Sequence, residues 1–167
     1  MSSHRSIAVI FSDIREDHTD GFLTGIQAQA NAYGYRTVTF SMPQTSELYT
    51  NNEEWVYSLI DYDRYDGVIF VEHTFSTHKS LIPPIEKSLS EKCRCPVVVI
   101  GSSNVLPNVI GMENQKNFEK VVEHLTDVHG CRNICCLSGE KGIADERIDG
   151  FVNVLRSRGL PCDEDNL

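Results

Sequence analysis

Residues 67–72, GVIFVE, follow an Asp66-Gly67 turn and are apolar at every position from Val68 to Val71. A strand with one solvated face alternates apolar and polar side chains. One that does not alternate is buried on both faces, the situation of strands in parallel sheets covered by helices. SIAVIFS at 6–12 and PVVVIG at 96–101 share this character, TVTFSM at 37–42 alternates or runs apolar, and NICCLSG at 133–139 is strand-like again.

Helical patterns separate these runs. Thr19 or Asp20 can cap a helix carrying Leu23, Ile26, Ala30 and Tyr33 at helical spacing and ended by Gly34. From Asn51 or Asn52, Trp55, Val56, Leu59 and Ile60 fall on one helical face, with Glu53 and Glu54 in the first turn, where the dipole favours acids. Residues 78–92 predict a third helix whose regular part Pro83-Pro84 must start or kink. After a loop through Pro107, Phe118, Val121, Val122 and Leu125 mark a helix over 115–128. Ile148, Phe151, Val152 and Leu155 mark another over 145–158, closed at Gly159. Strands alternating with such helices predict a doubly wound parallel α/β sheet. Ligands of such sheets bind beyond the carboxyl ends of the strands. The chemistry is therefore expected in DIREDHT (13–19), EHTFST (72–77), GSSN (101–104) and GEKGIADER (139–147).

Composition narrows the classes further. The chain's 167 residues, 40% hydrophobic and 23% charged, suit one soluble domain. No apolar run approaches the roughly 18 residues of a membrane span. The opening MSSHRSIAVIFSD enters a strand too soon for a secretory segment, so the chain reads as cytoplasmic with no membrane partner. A net charge of −9 repels a polyphosphate backbone, which argues against nucleic-acid binding through this segment. Six cysteines, at 93, 95, 131, 135, 136 and 162, show no C-x-x-C pairing; Cys135 and Cys136, inside the apolar run ICCL, read as small buried hydrophobes, and Cys93 and Cys95, flanking an arginine before a strand, read the same way with less force. No Ser-His-Asp or Cys-His arrangement sits at a strand-end turn, which argues against an enzyme; no catalytic residue and no cofactor is expected.

The strand-end loops narrow the chemistry. Gly139 and Gly142 stand as G-x-x-G, no Ser or Thr follows Lys141, and Glu140, Asp145 and Glu146 would repel an anion, so a phosphate cradle is disfavoured. Asp13, Asp17, His18, Glu72 and His73 are numerous enough to suggest a metal, but their spacing matches no ligand signature, and no metal is expected. A receiver-like phosphoacceptor module is the alternative, with Asp13, Glu72 and Lys141 in its three positions. Against it, the first acid is single where a pair should hold magnesium, and Glu72 stands where an aspartate is required. Arg147 falls on the first turn of the last helix, about 40° from Phe151 on the ideal helical wheel. Its planar fork suits either a carboxylate or vicinal hydroxyls of a ligand, or a salt bridge to Glu146, Asp149 or Asp13.

Taken together and in order, SIAVIFSDI, LTGIQAQANAYGY, YDGVIFVE, PVVVIG, MENQKNFEKVVEHL, GCRNICCLSG and ADERIDGF resemble the effector-binding core of the LacI/GalR family, which has the type I periplasmic-binding-protein-like fold. The resemblance implies a two-lobed, hinged binding protein that closes on a small molecule. Residues 1–105 would supply the first lobe, and 106–167 the crossover and an incomplete beginning of the second. It also implies a homodimer and a regulator or signalling protein in which this domain is fused to an output domain. Asp13 matches the acid after the first strand. Arg147, with Ala144, Glu146, Gly150 and Phe151, matches the A-x-E-R-x-x-G-[FY] motif. His18, Glu72 and His73 would complete the cleft. EDHT at 16–19 replaces an asparagine, proline and aromatic pair, and Gly101 replaces an acid, which points to a sugar-like or related metabolite rather than an ordinary sugar. Only MSSHR precedes the first strand, so no DNA-binding headpiece is expected in this segment. HLTDVHG carries one residue more before its glycine than most repressors and is closest to sensor domains joined to diguanylate cyclases and similar outputs.

Overall fold

Ala8, Val9, Ile10 and Phe11 are each fully buried, which a strand achieves only when both of its faces are covered. The computed structural model describes residues 5–13, 17–42, 53–137 and 143–162, and the chain divides into two units, Met1–Gly111 and Met112–Leu167. In the first unit β1 (Arg5–Asp13) lies between β2 (Tyr35–Met42) and β3 (Gly67–Phe70), followed outward by β4 (Val97–Ile100) and β5 (Val109–Ile110). The order is β2-β1-β3-β4-β5, and every pair is parallel.

The two-residue period of β1 divides its side chains between two cores. Ala8 and Ile10 join Phe70, Phe75, Tyr57, Ile60, Leu89 and Val99 on the face covered by α2 (Ile82–Lys92). Val9 and Phe11 join Val71 on the other face, with Leu23 and Ile26 of α1 (Asp17–Ala32) packed against them. Fully burying one such aliphatic or aromatic side chain contributes about 1.5–3 kcal/mol, so these strands are held by both layers. The doubly wound α/β class expected from the apolar runs is the observed one.

Some local expectations give way to packing. Residues 53–59 and 62–64 form 3-10 helices rather than one α-helix. At three residues per turn Tyr57 and Ile60 share the buried face, while Trp55 and Leu59, four apart, turn outward with more than half of their surface exposed. Tyr33, read as a core residue of α1, is 75% exposed beyond the helix's last turn. Pro83 and Pro84 begin α2, where the missing amide protons cost nothing. Residues 43–52 and 138–142, including the predicted loop after β2, the G-x-x-G turn and Lys141, lie outside the described residues.

NICCLSG is a correction. No strand forms over its described part; Cys136 is buried, but Leu137 is almost wholly exposed. The fifth strand is instead Val109–Ile110, inside the region read as a loop. The physical reason is pairing: the second unit contains no other strand among its described residues, whereas Val109 and Ile110 find the open edge of β4. That unit is built from α3 (Asn114–Glu123), a single π turn (His124–Val128) and α4 (Ile143–Ser157), with Val122, Cys136, Phe151, Val154 and Leu155 buried between them. Gly150 allows the helices to meet: a Cβ there would lie 2.5 Å from the Gln115 carbonyl oxygen.

Candidate functional site

At the carboxyl end of the sheet β1 leaves its neighbours, and its pairing with β2 shifts between Ile10 and Asp13. Backbone groups released there need other partners, and side chains supply them. The fully buried Ser12 donates its N–H to Thr74 Oγ1 at 3.0 Å, and that hydroxyl donates to the Val71 carbonyl at 2.7 Å. The Tyr57 hydroxyl donates to the Phe11 carbonyl at 2.6 Å. His78 Nδ1 lies 2.9 Å from Thr77 Oγ1 and 3.5 Å from Ser12 Oγ. A rigid polar shelf therefore closes the exits of β1 and β3.

Glu72 and His73 stand on that shelf, at the start of the 3-10 turn Glu72–Phe75. Both are tied to the end of β4. Glu72 Oε2 accepts the Ser102 amide proton at 2.9 Å, and His73 Nδ1 lies 3.3 Å from the Ile100 carbonyl. A carbonyl only accepts, so the proton of a neutral His73 belongs on Nδ1, and Nε2 keeps its lone pair. The ring of Phe22, on the second turn of α1, packs 4.9 Å from that of His73. Gly101 makes the junction possible. Its φ of 135° is closed to other residues, and a Cβ there would run into the Glu72 carboxylate and stand 2.9 Å from the His73 amide nitrogen. One residue further, Ser103 Oγ donates to the buried carboxylate of Glu86 on α2 and accepts the amides of Val105 and Leu106, anchoring the loop after β4.

Glu72 and His73, chosen from the sequence as ligand candidates, are thus neighbours at one strand end. Asp13 ends β1, and His18 lies in the first turn of α1, with both side chains outside the described part. Arg147 is exposed on the first turns of α4 in the second unit. The structure adds Ser12, Tyr57, Phe22 and His78. Their hydroxyls and rings carry no spacing signature, and only residues distant in sequence give them a role. An apolar groove of about 460 Å³ beside α1, lined by Ile7, Ile26, Ala30 and Tyr33, reaches toward the amino ends of β1 and β2, away from this chemistry. Among the described residues no three His, Cys, Asp or Glu side chains gather as a metal site, and no helix is long and apolar enough to cross a membrane.

In the second unit, Arg158 closes a two-pronged bond on Asp127, Nε to Oδ1 at 2.8 Å and Nη2 to Oδ2 at 2.6 Å, with Glu123 Oε1 3.4 Å from Nη2. This fork holds the Asp127 carboxyl down at about 2. In the first unit Cys93 and Cys95 place their sulfurs 3.3 Å apart, and burial, with Cys93 beside it, pushes the Cys95 thiol up to about 12, which suits a packed thiol rather than a nucleophile.

No protein-family model matches the sequence, and no curated protein does. Solved structures do match. The transcriptional regulator CelR in complex with cellobiose aligns with a TM-score of 0.68 at 18% identity, over 96% of this chain and 49% of that one. A ribose operon repressor from Burkholderia thailandensis gives 0.68 at 21%, over 98% and 59%. The lac repressor dimer bound to operator and the anti-inducer ONPF gives 0.66 at 16%, over 93% and 52%. The fold is that of LacI-type effector-binding domains. The LacI-type architecture, expected from the ordered motifs, accounts for a parallel sheet whose carboxyl edge carries the polar groups. The chain spans about half to three-fifths of the length of these neighbours.

Proposed function

We propose that this LacI-type chain is the small-molecule-sensing part of a regulator or signalling protein, binds a sugar-like metabolite and passes the event on by hinge closure. One observation carries the proposal: a carboxylate, an imidazole and an aromatic ring, Glu72, His73 and Phe22, are gathered and anchored at the carboxyl edge of the sheet. A carboxylate accepts from hydroxyls, an imidazole Nε2 does the same, and a ring face stacks on the apolar face of a sugar. Phe22 makes up for the aromatic pair missing at 16–19, and the Glu72 carboxylate lies over Gly101, where the expected acid is absent. The neighbours include a cellobiose complex, which favours the carbohydrate class.

In this proposal Asp13 and His18 contribute from the first unit, and Arg147 contributes its fork from the second when the hinge closes. The two units would be the first lobe and the opening of the second lobe of a two-lobed binding protein. The chain would work as a homodimer in the cytoplasm, joined to an output domain and without catalytic activity of its own. The test is a panel of pentoses, hexoses and disaccharides, including ribose and cellobiose, followed by thermal shift and calorimetry. A binder should raise the melting temperature of the wild type. With Glu72→Gln or Arg147→Ala its affinity should fall by about tenfold or more, the scale of one charge-assisted hydrogen bond of about 1.5–3 kcal/mol, with the unliganded melt little changed. An Arg147→Ala protein that binds normally but melts early would assign Arg147 to a salt bridge instead. Absence of any carbohydrate response would remove the sugar class.

A further inference from the structure

The second unit holds a pair of imidazoles that the effector site does not use. His124 and His129 bracket the π turn His124–Val128, and the His129 amide donates to the His124 carbonyl at 3.3 Å, the five-residue bond that defines such a turn. In an α-helix, residues five apart point about 140° away from each other. The wider turn stacks them one above the other instead. Such π turns often mark functional positions.

The result is close. His124 Nε2 and His129 Nε2 lie 3.0 Å apart, with ring centroids separated by 4.7 Å and planes at 79°, both exposed to solvent. Without a cation, one Nε2–H donates to the other's lone pair. Moving that proton to Nδ1 of the same ring leaves a lone pair on each Nε2, with no net proton released. A cation about 2.0–2.1 Å from each nitrogen would then see the pair at an angle of about 90°. That is the cis angle of tetragonal copper or nickel and is only slightly closed from the tetrahedral angle of zinc.

We propose that His124 and His129 form a two-imidazole site for a divalent first-row transition cation of the nickel, copper and zinc class. With two protein ligands the remaining positions belong to water, so the cation exchanges readily. Imidazole suits these metals, whereas magnesium and calcium require oxygen ligands and are not bound.

The test uses the whole chain carrying His4→Gln, so that a histidine near the amino end does not contribute, titrated separately with zinc, nickel, copper and magnesium chlorides. Calorimetry should find one cation per chain in the order copper above nickel and zinc, with none for magnesium. Zinc should shift the Nε2 resonances of His124 and His129 and leave those of His73 and His78 in place. His124→Asn and His129→Asn should each lower the affinity at least tenfold while the circular dichroism spectrum is retained. Because both side chains are exposed, these variants should fold; if either does not, the resonance shifts in the parent chain decide alone. Unshifted His124 and His129 resonances under saturating zinc, or full affinity in the single variants, would overturn the site and leave the pair as a hydrogen bond that closes the helix.

Discussion

Gly101 concentrates the residue-scale physics of the strand-end site. Its left-handed backbone admits Glu72 over the end of β4, and only the absence of a Cβ leaves room for that carboxylate. Gly101→Ala should destabilise the first unit by about 1–3 kcal/mol, through strain at a positive φ and displacement of Glu72, as read from urea unfolding. Loss of the Glu72 bond to Ser102 should appear as a shift of the Ser102 amide resonance. An alanine variant as stable as the wild type, with that resonance unmoved, would contradict the geometry. In the sequence, Gly101 is legible as a glycine after a strand, where the resembling family has an acid. That it exists to seat a residue 29 positions earlier follows from the pairing of β3 with β4.

At the scale of elements, the second unit rests on α3, its π turn and α4, with the Arg158 fork on Asp127 clasping their ends. Because the folded Asp127 titrates near 2 rather than its ordinary 3.8, the unfolded chain takes up this proton first as the pH falls. The stabilisation is fully present above about pH 4 and disappears as the pH drops through 2. Asp127 is half exposed, so screening keeps the contribution small. Asp127→Asn should lower the melting temperature at pH 7 slightly and bring the variant and wild-type melts together by about pH 2. An unchanged gap across that window would show that the fork does not act through protonation. The extent of the pairing was not legible in the sequence, where Asp127 and Arg158 are two surface charges 31 residues apart; helical periodicity locates both helices but not which of their ends meet.

For the whole molecule, protection should follow the burial of the strands. The amides of β1 and β3, covered on both faces, should exchange at the slowest rates, while Cys135 and Leu137, in an apolar run that forms no strand, should exchange orders of magnitude faster. Equal protection in the two segments would mean that Cys135 and Leu137 are held in a strand after all. Apolar runs, helix periods, the proline start of α2 and the capping glycines are properties of a dozen neighbouring residues, so the sequence by itself determined the layered parallel α/β class and the strand ends that carry polar groups. Pairing partners are not local. The open edge of β4 made a strand of Val109–Ile110, no strand formed over 133–137, and packing against the sheet chose a three-residue turn that buries Tyr57 and exposes Trp55. For the same reason, Phe22 beside His73 belongs to the tertiary structure alone, a pairing across a distance that chain order does not contain, whereas His129 beside His124 is set locally by a π turn that the ordinary helical period does not show.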